Sequence, residues 1–159
     1  MGSVWVSNIV FIHKKDGTLR YCIDYKGLNA VTTKAHYPLP RIDTCHDSLG
    51  GNTYFSSLDM RSRYWQVPVS KQDIDKTRKG IFGCKVLPFG LCNVPSTFQR
   101  LVDMALGGMT WEVCLAYLND LIIFSSTFEQ HIERLQLVFD HLVAVGFKLK
   151  PSKCALFQK

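Results

Sequence analysis

Apolar residues along this chain recur with two periods, and the switches between them predict its elements. Val4–Ile12 and Leu19–Tyr25 are rich in β-branched and aromatic residues, and the Asp16-Gly17 step between them predicts a hairpin that projects Lys14, Lys15 and Arg20. Leu39, Ile42, Cys45 and Leu49 fall on one helical face over Pro38–Leu49, and Gly50-Gly51 closes that helix. Thr53–Met60 predicts a strand ending in the acidic Asp59, and Tyr64–Val69 a second one, short or at an edge because of Pro68. A polar, mostly basic connection over 70–80 leads to a strand-like run at Ile81–Leu87. The turn-rich loop PFGLCNVP then opens a helix over Ser96–Leu106, set by Phe98, Leu101, Val102 and Ala105.

Farther on, Glu112–Leu118 and Leu121–Ser125 are apolar arms flanking Asn119-Asp120, a second hairpin. Thr127 and Gln130 form a capping box for a helix to about Val145, with Ile132, Leu135, Val138, Phe139 and Leu142 inward and Gly146 as its stop. Lys148–Cys154 begins another extended piece. Mixed helices and strands with prominent hairpins predict an α+β fold, an antiparallel sheet covered by helices on one face and open to carry a site on the other.

Composition narrows this reading. A chain of 159 residues, 47% hydrophobic and 20% charged, suits one domain or two small lobes sharing a core. No run approaches the roughly 18 apolar residues of a membrane span. The N-terminal charges follow the apolar run, unlike a secretory signal, and Val6 stands where a myristoylation signal wants Ser or Thr. The six cysteines, with no CxxC pair, read as small buried residues of a reducing compartment, which predicts an intracellular protein, cytoplasmic or nuclear. Five dispersed histidines exclude a His-based metal site. A net charge of +6 suits a polyanionic partner.

The chemistry centres on Asp59 and Asp120. An antiparallel sheet can bring the end of SLDM beside YLND, and two carboxylates so placed repel unless a cation sits between them. Hard divalent ions such as magnesium accept that oxygen environment, and a pair of them roughly 4 Å apart serves phosphoryl transfer. By spacing alone, an unrelated strand-end Asp and turn Asp is the favoured reading, and only further pattern in the sequence shifts it.

YCIDYKGLNAVT, YPLPRID, YFSSLDMRSRYWQVPV, LPFGLCNVPSTFQRLVD, YLNDLIIFS and GFKLKPSKC stand in this order. The ordered set resembles the reverse transcriptases of gypsy-class long-terminal-repeat retrotransposons over nearly the whole chain. The resemblance implies the fingers (roughly 1–50 and 66–90) and palm (roughly 51–65 and 91–159) of a right-hand RNA-directed DNA polymerase, a nucleotidyltransferase. It implies Mg2+ or Mn2+ as cofactor and an RNA or DNA template-primer with dNTP as partners. Asp59 matches the first metal-binding aspartate, Asp120 the second carboxylate of the hairpin, and Tyr64 the side chain under the incoming sugar. Lys14 and Arg20 match fingers residues that hold the triphosphate, Phe89 and Gly90 the loop packing on nucleotide and template, and Lys153 a lysine approaching the phosphates. Apart from the resemblance, the same residues read as solvated charges, core aromatics and a turn glycine.

The departures from the family pattern carry their own expectations. Asn119 stands where the hairpin usually has its first Asp, so a metal pair faces one fewer carboxylate and its binding is weakened. Arg63 replaces the small residue, usually glycine, beside Tyr64. The segment between Lys76 and Pro88 is roughly four residues shorter than the pattern. Past ALFQK the family continues with a primer grip and thumb, so the thumb is expected to be absent here. These features predict impaired or absent polymerisation. The alternative expectation is a non-catalytic remnant of a retrotransposon polyprotein that binds nucleic acid or serves as an interaction module.

Overall fold

A computed structural model describes residues 7–13, 17, 19–38, 41–78, 82–117 and 120–159; the side chains of Arg20, Tyr21, Ile42 and His46 are not among those described. The chain divides into two compact units, one of residues 1–36 and 64–95, the other of residues 37–63 and 96–159.

The first unit opens with the hairpin that the Asp-Gly step predicts: β1 (Ile9–His13) pairs antiparallel with β2 (Leu19–Ile23), in a register of Ile9 with Ile23 and His13 with Leu19. A short helix follows, α1 (Lys26–Val31), which the sequence pattern did not announce. Tyr25, buried at its start, sends its hydroxyl to the Thr77 carbonyl at 3.3 Å. Tyr64–Val69, expected as a strand, is instead a 3-10 helix at Arg63–Gln66, after which Pro68 makes an isolated antiparallel bridge to Val86. The strand expected at 81–87 is reduced, among its described residues, to bridge positions at Phe82 and Val86, with the Val69 N–H donating to the Lys85 carbonyl and the Leu87 N–H to the Val67 carbonyl, each at 2.9 Å. Within the polar connection, Ile74–Thr77 forms another 3-10 helix.

The second unit holds a four-stranded sheet ordered β4-β5-β3-β6, from β3 (Tyr54–Asp59), β4 (Cys114–Tyr117), β5 (Asp120–Ser125) and β6 (Ala155–Gln158). All its pairings are antiparallel. β6 begins later than the extended piece expected at 148–154, because Pro151–Lys153 first makes a 3-10 turn. The helix expected over 38–49 occupies Ile42–Leu49 (α2). α3 (Val94–Ala105) buries Phe98 and Val102, and its Gln99 amide donates to the Ala116 carbonyl of β4 at 2.9 Å. α4 (Phe128–Ala144) starts at Thr127, whose hydroxyl accepts from the Gln130 N–H while the Gln130 side chain accepts from the Ser126 N–H.

α4 turns His131, Leu135, Val138 and Leu142 into the core, so Ile132, expected inward, lies exposed. The reason is polar. His131 is met by Ser56 of β3 at Nε2 (2.7 Å) and by Ser125 of β5 at Nδ1 (2.9 Å), which satisfies both ring nitrogens in a fully buried position. Only Cys114 among the six cysteines is buried; the other five are half-buried, and all six are free thiols. No described helix is long and apolar enough to cross a membrane.

Candidate active site

Side chains alternate between the faces of a strand, so the register of β3 with β5 fixes what its last rung presents. Ser56 lies opposite Ile123, Leu58 opposite Leu121 and Asp59 opposite Asp120. Ser56 and Ser125 face α4; Asp59 and Asp120, an odd number of residues away on each strand, therefore face the opposite side. Tyr117 of β4 pairs with Asp120 in turn, so residues 118 and 119 alone separate the hairpin arms. Those two, Asn119 included, lie outside the described residues.

Asp59 is held from both ends. Its carbonyl accepts from the Lys150 N–H at 2.8 Å, and the Arg61 N–H beyond it donates to Lys148 at 2.8 Å, which ties the segment after α4 along the end of β3. Its carboxylate is 15% exposed and faces two cations, Lys153 Nζ at 3.9 Å and Arg63 Nη2 at 4.0 Å. Arg63 reaches it from a strained backbone: Ser62 and Arg63 have φ of +57° and +46°. Asp120 is exposed at the start of β5.

The donor set suits a hard divalent ion in kind, since both side chains offer carboxylate oxygen. It is short in number. Among the described residues no group of three or more His, Cys, Asp or Glu side chains is placed to hold a metal, and the cations beside Asp59 compete for its charge.

The remaining candidates belong to the first unit. Tyr64 sits in the 3-10 helix with its ring 5.1 Å from that of Phe89, and Trp65 stands edge-on to Phe89 at 5.8 Å. Phe89-Gly90 form a turn in which Gly90 has φ +102° and its carbonyl accepts from the Asn29 amide at 2.8 Å. A cavity of about 260 Å³ opens against Phe89, Trp65, Cys22 and Cys84. Arg20 lies opposite Ile12 in the β1–β2 hairpin, and Lys14 falls outside the described residues. Sequence reasoning missed Trp65 and the approach of Arg63 to Asp59. The WQVPV alternation disguised the first as a strand residue, and no sequence signal points Arg63 at Asp59.

The family model described as reverse transcriptase (RNA-dependent DNA polymerase) matches residues 12–159. The chain belongs to the reverse transcriptase family. This reverse transcriptase domain is 42% identical over 128 residues to an RNA-directed DNA polymerase homolog of Oenothera berteroana, covering 76% of the chain and 90% of that relative. It is 36% identical over 144 residues to the retrovirus-related Pol polyprotein from transposon 297 of Drosophila melanogaster, covering 88% of the chain but 14% of the polyprotein. The domain thus spans about a seventh of that relative's length. The foamy viral protease-reverse transcriptase, solved with an RNA/DNA hybrid, superposes with a TM-score of 0.86 over 98% of the chain and 21% of its own, at 23% identity, which shows a shared fold.

Proposed function

We propose that this reverse transcriptase domain is the fingers and palm of an RNA-directed DNA polymerase whose nucleotidyl transfer is impaired and whose hold on nucleic acid is kept. The observation that carries the reading is the Asp59–Asp120 rung with two cations on Asp59.

In this reading Asp59 and Asp120 hold magnesium or manganese, which when bound supplies Lewis-acid stabilisation of phosphoryl oxygens. The protein's own residues do the rest. Tyr64 underlies the incoming sugar, Phe89 and Gly90 pack on nucleotide and template, and Lys14 and Arg20 hold the triphosphate of a dNTP. Lys153 supplies a point charge to the phosphates once released from Asp59. Asn119 offers an amide oxygen where a third carboxylate would add a full charge. At ligand distance in a partly dry site that loss is worth several kcal/mol, and each 1.36 kcal/mol of barrier is tenfold in rate. With Arg63 beside Asp59, the site is balanced without a divalent ion, which supports weak metal binding. A net charge of +6 supports an RNA or DNA partner held through phosphates, and six free thiols suit a reducing interior, cytoplasm or nucleus.

A template-primer extension assay with magnesium or manganese tests the reading. Binding that weakens steeply with salt, with incorporation at or near background, is the expected result. Efficient incorporation that Asp59→Asn abolishes would show a competent polymerase and overturn the impairment. Absence of salt-dependent binding would overturn the nucleic-acid partner.

A further inference from the structure

A hollow in the second unit shares no residue with the carboxylate rung. It measures about 550 Å³, the size of a small-molecule site, and its walls include Tyr37, Arg41, Asp103, Gly108 and Trp111. The loop that forms one wall is held at a cost. Trp111 has φ +83°, a region that bulky L-residues avoid, and the neighbouring Thr110 hydroxyl is shut off from water with no hydrogen-bond partner among the described residues. The Trp111 N–H nonetheless donates to the Cys114 carbonyl at 2.8 Å, locking this conformation onto the start of β4. Strain fixed at a cavity wall recurs at ligand clamps, among other functional sites.

The chemistry inside selects a ligand. Asp103 on α3 accepts from the Tyr37 hydroxyl at 2.8 Å through Oδ2 and from the Gln99 amide at 3.1 Å through Oδ1. Among the described residues each oxygen accepts one bond, so each keeps a lone pair, and the pair can receive two adjacent N–H donors. Tyr37 and Gln99 fix the plane of the carboxylate that would read them. At the mouth, Arg41 approaches Asp43 at 3.9 Å with both side chains more than 80% exposed (82% and 88%), a loose pair that leaves the guanidinium able to fork onto a phosphate and that disfavours a cationic guest. Trp111 offers an aromatic face for stacking.

We propose that this hollow binds a guanine nucleotide, the base stacked on Trp111, its N1–H and N2–H edge on Asp103, and its phosphate at Arg41. Adenine presents an acceptor in place of one of those donors, and that acceptor would meet a carboxylate lone pair. The guanine can come from a free nucleotide or from an unpaired position in a strand.

Titration calorimetry on the intact chain without divalent ions tests this with guanosine, inosine and adenosine 5′-monophosphates. GMP is expected to bind at least about tenfold tighter than AMP, as one two-bond base contact provides, with inosine monophosphate between them. Asp103→Asn should bring GMP down to the AMP level, and Trp111→Gly should weaken GMP without lowering the melting temperature, since glycine accepts the positive φ. Asp59→Asn should leave GMP affinity unchanged, which separates this hollow from the carboxylate rung. A single-stranded tetranucleotide with one guanine, if tighter than GMP, identifies a strand as the source; if weaker, the free nucleotide. Equal affinity for GMP and AMP, no binding of either, or Asp103→Asn that binds GMP as the parent does would overturn the proposal.

Discussion

Asp59 lies directly opposite Asp120 on the last rung that β3 and β5 share, on the face turned away from α4. Residue 119 immediately precedes Asp120, so a carboxylate introduced there adds a third negative charge to the end of this rung. Without a cation those charges repel. The variant Asn119→Asp should therefore melt at a lower temperature than the parent in chelator, and should gain more from added magnesium. A ligand that binds only the folded state stabilises in proportion to its affinity, so the magnesium-induced rise in Tm reads the restored site. Identical magnesium responses in the two proteins would remove the hairpin amide as the cause of weak metal binding.

Arg63 makes a second, independent prediction. It has φ +46° and directs its guanidinium to Asp59 at 4.0 Å. Glycine at this position relieves the backbone and withdraws the competing cation at once. Arg63→Gly should hold or raise the melting temperature and increase the apparent affinity for a divalent ion, followed by the manganese-dependent relaxation of water protons. A lower melting temperature with unchanged manganese binding would mean that Arg63 serves the fold and not the charge balance of Asp59.

The rung was legible because TYFSSLDM and LIIFS announce two strands and leave an acidic residue at the matching end of each; pleat and register then do the rest. Other parts were hidden for stated reasons. Lys26–Val31 has a glycine at its second position and no apolar repeat, so nothing local marks it as a helix. Tyr64–Val69 alternates like a strand, yet the positive φ at Ser62 and Arg63 turns the chain into a 3-10 helix first. His131 lies inside because two serines from other strands receive it, a fact that an apolar-face reading of α4 cannot contain. The approach of Arg63 and Lys153 to one carboxylate joins residues 90 positions apart (153 − 63), and only the folded chain brings them there.

The His131 network yields a pH prediction with a defined sign. Ser125 donates to the Thr127 carbonyl at 3.0 Å, so its oxygen accepts from Nδ1–H; Ser56 accepts from the Phe157 N–H at 3.1 Å and donates to Nε2. The neutral ring fits this chain of bonds, and a second ring proton would strand the Ser56 hydroxyl hydrogen. Burial, with Arg134 nearby as a lesser cause, holds the imidazole below its ordinary proton affinity. The unfolded chain then binds the proton more readily, so stability falls as pH drops through the ordinary imidazole value of about 6.5, and the loss levels off below the folded value. Denaturant melts between neutral and mildly acid pH should show that slope in the parent and a shallower one in His131→Gln. The same slope in both would assign the acid sensitivity to other groups.

Gly90 is the last test, and it separates a backbone role from a nucleotide role. Its φ of +102° is open to glycine, and a Cβ there would stand 3.3 Å from the Ile23 carbonyl oxygen and 3.4 Å from the Tyr25 ring. The first contact is tight and lies against backbone at the end of β2, which has little room to yield. The second meets a buried ring whose hydroxyl is already committed to Thr77. Gly90→Ala should therefore cost about 1–2 kcal/mol of stability from the left-handed backbone alone. The loss should appear as a lower urea midpoint at constant m-value, because the variant strains the native state without changing the surface exposed on unfolding. If Gly90→Ala leaves the midpoint in place while weakening nucleotide binding, the glycine is kept for close approach of a ligand and not for its own conformation.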